Sequence, residues 1–186
     1  MVLSRLLGCS VLSVVLVVGG LITSGHAAGI DIVGCFDGPV PTDPQSCSTG
    51  VRLNIVSIKS ELTNTGTVGP PGGGGGAGKA QFAPFTIVKA LDSTSPGLFL
   101  TAATGQHTQT LGIGIFDTNG QKAQRVFSIT LTNVLTTRIA DTAQDTTNPN
   151  TLATTETVEF DFGRIKLVDE VSGMSVCFDA TTLSSC

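Results

Sequence analysis

Apolar and polar positions along this chain fall mostly into stretches of period two, separated by turn-forming residues, with one stretch of helical period. In VFSITLTNVL, Phe127, Ile129 and Leu131 alternate with Ser128, Thr130 and Thr132, which predicts a strand with one buried and one wet face. In VEFDFGRIKL, Val158, Phe160 and Phe162 share a face, and the apolar phase moves to Ile165 and Leu167 beyond Gly163, which predicts a bulge or bend at that glycine. Further strands are expected from Val51 in VRLNIVSI, in QFAPFTIVKA, in LGIGIF and from Met174 to Phe178. Between LGIGIF and VFSITLTNVL, Asn119-Gly120 predicts a tight hairpin, since both residues accept positive φ. Residues 29 to 50, crowded by Pro39, Pro41 and Pro44, read as irregular, and residues 141 to 153 as a polar loop. The stretch VGPPGGGGGAGK at 68 to 79 reads as a glycine-rich mobile loop, because Gly frees the backbone and Pro removes a donor.

The helical stretch lies between Asp92 and His107. Asp92 and the run Ser93-Thr94-Ser95 offer an N-cap, Pro96 suits the first turn, and Gly105 is placed to end the helix. Leu98, Phe99, Ala102 and Ala103 recur at helical spacing, which predicts one face packed on a sheet. A helix of two or three turns does not persist alone, so it needs the surrounding β-structure.

Charge and cysteine content sharpen this picture. Arg5 followed by the apolar run VLSVVLVVGGLI at 11 to 22, with Gly25 and Ala27 after it, has the layout of a secretory signal peptide over residues 1–27. The apolar run is too short for a stable membrane span, and none is expected after cleavage. Residues 28–186 are then expected to form a single domain. The whole chain carries 10 basic and 14 acidic residues; removing 1–27 takes away Arg5 and no acid, so the net charge moves from −4 to −5. An acidic domain argues against nucleic acid, whose affinity rests on neutralising phosphates. Of the five cysteines, Cys35, Cys47, Cys177 and Cys186 remain, an even number suited to two disulfides in an oxidising compartment. Three connectivities exist, and the local pairs Cys35 with Cys47 and Cys177 with Cys186 are favoured because each closes a short turn-rich loop. No CxxC pair exists and no histidine lies near these cysteines, so a metal site is not expected.

Candidate chemistry is sparse. Gly73 to Lys79 fits the first seven positions of a phosphate-binding loop, yet Ala80 stands where Ser or Thr would hold Mg²⁺, and no helix pattern follows. His107 is the only histidine beyond residue 28, and it is expected to hydrogen-bond a turn; a hydrolase would need it paired with Asp92 or Asp117. Glu156 and Glu159 face opposite sides of one strand, and Asp161 shares a face with Glu159 as ordinary solvated acids do. Asp117-Thr118-Asn119-Gly120 is too short for a calcium loop. There is no Trp and no Tyr to stack on sugars. No catalytic centre, cofactor or metal ion is expected.

The run GGGGGAGKAQFAPFTIVKALDSTSPGLFLTAATGQH at 72 to 107 resembles the Hcp family, tube proteins of the bacterial type VI secretion system. The family's strand ending in Lys-x-x-Asp, its Ser-Pro-x-Leu-Phe helix start and its Ala-x-Gly-x-His exit are matched by Lys89, Asp92, Ser95, Pro96, Leu98, Phe99, Ala103, Gly105 and His107. Weaker similarity places IDIVGCFDG at 30 to 38 on the family's first strand, IVSIKSELTN at 55 to 64 on its second and VEFDFGRIKL on its penultimate one; Glu61 stands where the family often has an aromatic residue. The resemblance implies a mainly β fold, a small antiparallel β-barrel with one short α-helix. It also implies a non-enzymatic structural role, with a homo-hexameric ring stacking into a tube and partners among spike, sheath and effector proteins. The leader, which tube subunits ordinarily lack, and the cysteines suited to an oxidising compartment imply a periplasmic or extracellular location.

Overall fold

The computed structural model describes residues 29–66, 78–143 and 154–186. The leader segment, most of the glycine-rich loop and most of the 141–153 loop therefore lie outside the described residues.

The elements are β1 (Ile30–Phe36), β2 (Val51–Lys59), β3 (Leu62–Asn64), β4 (Ala80–Phe82), β5 (Phe85–Ala90), α1 (Ser95–Thr104), β6 (His107–Asp117), β7 (Gln124–Ala143), β8 (Thr154–Asp169), β9 (Ser175–Asp179) and β10 (Ser184–Ser185). Six strands close into an antiparallel barrel in the order β8-β5-β2-β1-β6-β7 and back to β8, with β9 and β10 extending from the far half of β8. The fold is thus mainly β with one short helix, as the resemblance implies. β3 and β4 form a separate two-stranded ribbon at the base of the glycine-rich loop. A strand follows Lys79, so the helix that a phosphate-binding loop requires is missing there.

Inward-facing residues fill the barrel: Leu53, Phe85, Ile87, Leu111, Ile113, Leu131, Val134, Val158 and Phe160 are all fully buried. Closure gives these strands paired neighbours on both sides, which removes the open edges that invite aggregation. The bend expected at Gly163 is shared by two strands. Asn133 in β7 adopts φ 54° next to the Thr132↔Arg164 and Val134↔Phe162 pairs, and the register passes through without a shift. The inward phase flips on both strands at once, from Ile129 and Leu131 to Val134 on β7 and from Phe160 to Ile165 on β8. The displaced register sits instead between Thr136 and Arg138.

Three further expectations are corrected. Residues 30 to 36, read as irregular from composition, form a strand in the barrel wall between β2 and β6. The Asn119-Gly120 hairpin exists, but residues 118 to 123 form its loop and neither Asn119 nor Gly120 has positive φ. Asp117 Oδ1 accepts from Asn119 N–H at 2.8 Å and organises the turn instead. The outer face of β7 is less wet than expected, since Ser128 is buried and donates to Glu170 Oε1 at 2.7 Å.

That outer face carries a second, smaller apolar layer. In β1 the even positions turn inward, while Val33 and Cys35 point out and are nevertheless buried, at 2% and 0% exposure. The cover is residues 37 to 50, which cross β6 as a strap. Gly112 N–H donates to Gly38 O at 3.1 Å, Arg125 Nη1 to Pro41 O at 2.8 Å and Arg52 Nε to Pro44 O at 3.2 Å. A Cβ at Gly112 would stand 2.2 Å from Val40 N, so only glycine lets the strap lie this close. Cys35 and Cys47 are bonded with their Cα atoms 5.7 Å apart, which closes the strap, and Cys177 and Cys186 are bonded at 5.3 Å beside β10.

Candidate functional site: the helix and its buried anchor

The helix α1 follows β5 directly, and its first turn is fastened to the barrel by buried charge. Lys89, the last inward residue of β5, is fully buried, and the three protons of its Nζ are shared among four acceptors, Glu156 Oε2 (3.0 Å), Asp92 Oδ1 (3.0 Å), Ser95 Oγ (3.1 Å) and Ala90 O (2.8 Å). The Ser95 hydroxyl accepts from Asp92 N–H at 3.1 Å and donates to Glu156 Oε2 at 3.1 Å, so one side chain links strand, turn and helix. A buried ammonium ion is tolerated only with such full coordination.

Asp92 works from the other side. Its Oδ1 accepts from Thr94 N–H at 2.8 Å and Thr94 Oγ1 at 2.6 Å, a turn that aims the chain into the helix. Thr94 is the N-cap residue by position but makes no side-chain capping bond, and Ser95 gives its hydroxyl to the anchor. The expected hydroxyl cap is therefore replaced by the Asp92 turn. At the far end Gly105 adopts φ 65°, with its N–H bonded to Ala102 O and Gln106 N–H to Thr101 O, as expected of a left-handed helix stop.

The helix buries less than its pattern suggests. Leu98 is 2% exposed and plugs the barrel core, whereas Phe99 and Leu100 are 63% and 62% exposed. Phe99 thus points to solvent rather than onto the sheet, and Ala103 is exposed as well. Replacing Leu98 with alanine is expected to cost about 2 kcal/mol, the low end for such a truncation because the helix flank is open and can settle. Thermal melting checks this, and an unchanged midpoint would contradict it.

His107 opens β6, exposed, with Nδ1 3.0 Å from Asn133 Oδ1. Its side-chain partner is thus Asn133 rather than Asp92 or Asp117, so the hydrolase pairing is not assembled. Asp117 lies at the opposite end of the same strand. Among the described residues no group of three His, Cys, Asp or Glu side chains is placed to hold a metal ion.

Sequence reading places Glu156 on the face opposite Glu159 but assigns it no role, and so misses its part in the anchor. The available signal was parity: Glu156 shares the inward phase of Val158 and Phe160, and an acid in that phase needs a buried cation.

Two partly buried carboxylates, Asp92 and Glu170, contribute to the acid response alongside more exposed acids such as Asp179. Burial pushes the Asp92 carboxyl up, but hydrogen bonds from Thr94 and Lys89 outweigh it and hold the group below its ordinary value. The Ser128 hydroxyl, with Arg125 beside it, holds Glu170 low in the same way against a raising effect of burial. Depressed folded values mean that this stabilisation is present above the unfolded carboxylate range, near pH 4, and is lost as pH falls through the lower folded values. Urea midpoints from pH 7 to 2 are expected to drop steeply below about pH 4. The acid limb should be flatter in Asp92→Asn and Glu170→Gln proteins.

Hcp1 from Salmonella typhimurium superposes over 85% of this chain and 100% of its own, with TM-score 0.66 at 16% identity. A type VI secretion system effector from Yersinia pestis covers 81% of this chain and 100% of its own, with TM-score 0.57 at 16% identity. The secreted protein Hcp3 from Pseudomonas aeruginosa covers 81% and 98%, with TM-score 0.57 at 17% identity. No curated protein matches the chain in sequence. The barrel with its single anchored helix is thus the fold shared by these secretion-system proteins. The family described as "Type VI secretion system effector, Hcp" matches residues 45–168, two thirds of the sequence, and the chain belongs to the Hcp family.

Proposed function

We propose that residues 28–186, after removal of the leader 1–27, form a single domain that assembles into homo-hexameric rings. The rings stack into a tube that carries or accompanies effectors, with spike and sheath proteins as further partners. The family match over residues 45–168, which takes in five of the six barrel strands, carries this reading. Exposed apolar side chains support it: Phe99 and Leu100 on the helix, and Val171, Met174 and Val176 on the β8–β9 hairpin at 72%, 75% and 57% exposure. Surfaces of this kind are commonly covered by a neighbour. Among the described residues no helix is long and apolar enough to cross a membrane. The two disulfides favour export to the periplasm or beyond. They also favour a second reading, a monomeric secreted binding module that keeps the barrel without the tube.

Light scattering of oxidised 28–186 after size exclusion, with negative-stain imaging, separates the two. A sixfold mass with a central hole is the expected result. A monomer at every concentration up to millimolar overturns the ring.

A further inference from the structure

A shallow pocket of about 350 Å³ opens beside the start of α1, where Leu91, Pro96 and Phe99 form an apolar rim above Asp92, Asp141 and Glu156. Glu156 is 1% exposed, and both of its hydrogen bonds, from Lys89 and Ser95, go to Oε2. Among the described residues no donor reaches Oε1, so a buried carboxylate that borders the pocket has one oxygen to offer. Three carboxylates against Lys89 leave the site with a net charge of −2, and Lys89 spends its protons on the anchor. Asp141 pairs with Glu156 in the β7–β8 register, which puts its exposed carboxylate on the pocket's edge.

We propose that this pocket receives a cationic side chain, lysine or arginine, flanked by an apolar residue on a partner polypeptide. The acidic floor attracts the charge, while Phe99, 63% exposed, and Leu91, 41% exposed, take the apolar neighbour and the aliphatic stem. Burial beneath the rim makes the contact stronger than a surface ion pair of the same geometry. The site does not depend on ring formation, since every residue in it comes from one chain.

The test uses the oxidised 28–186 protein and two short capped peptides, Leu-Lys-Leu and its Leu-Gln-Leu counterpart, titrated by NMR at low salt. The lysine peptide should shift the Leu91, Phe99 and Asp141 signals, bind at least about tenfold more tightly than the glutamine peptide, and lose that advantage in Asp141→Asn and in 0.5 M salt, where the Debye length shrinks to a few ångströms. Asp141 lies outside the anchor, so that variant should fold normally, and Phe99→Ser gives a second variant on the apolar rim. Equal affinity for both peptides, shifts elsewhere on the barrel, or no shift at millimolar peptide would overturn the proposal. If Asp141→Asn instead abolishes self-association without any peptide, the occupant is a second copy of this chain and the partner assignment fails.

Discussion

A Lys89→Met protein is expected to lose about 3–5 kcal/mol of stability, more than any other single change considered. The reason is not the pair's own attraction. Glu156 is 1% exposed, and removing the ammonium group strands its carboxylate in the wall of the barrel with only Ser95 as a donor. Asp92 loses a partner too, keeping only its bonds from Thr94. A Lys89→Met/Glu156→Leu double variant should regain most of the loss, because two apolar side chains avoid the desolvation that the charged pair must overcome. Urea unfolding of the four proteins measures the coupling. If the double variant proves as unstable as the single one, the buried-charge account fails and packing must be responsible.

Breaking the Cys35–Cys47 bridge, by Cys35→Ala with Cys47→Ala, should cost about 3 kcal/mol. The bond closes a 12-residue separation and holds the strap over Val33 and Cys35. Loss of the Cys177–Cys186 bridge, 9 residues apart, should matter less to global unfolding. It tethers only β10, two exposed residues whose release is a local event. Melting temperatures of the two double variants, each with the other bridge intact, decide this, and equal losses would contradict it.

How far the sequence reveals this molecule depends on what each residue's environment leaves in the local pattern. The long strands β7 and β8 are legible because one face of each is consistently apolar. The start of α1 is legible because Ser95-Pro96 and Gly105 have few other uses at that spacing. β1 escapes the period-two test, since Val33 and Cys35 are buried outside the barrel while Phe36 is buried and Ile32 partly buried within it. Two covered faces leave no alternation to read, and only the family resemblance placed that strand. Phe99 misleads for the opposite reason: local spacing cannot tell a core contact from an apolar side chain left at the surface. The anchor was hardest, because Lys89 and Glu156 are 67 positions apart and nothing near either one names the other.

The closed barrel also dictates an order of arrival. β5 and β7 each wait for β8, which supplies the remaining partner of both. A chain emerging N-terminus first exposes those two edges until about residue 169 has appeared, with most of the domain already present. The β5–β8 pairing joins residues about 70 positions apart and forms slowly, and unpaired strands are the surfaces on which nascent chains associate wrongly. Whatever accompanies this chain during its synthesis must therefore guard β5 and β7 until β8 arrives.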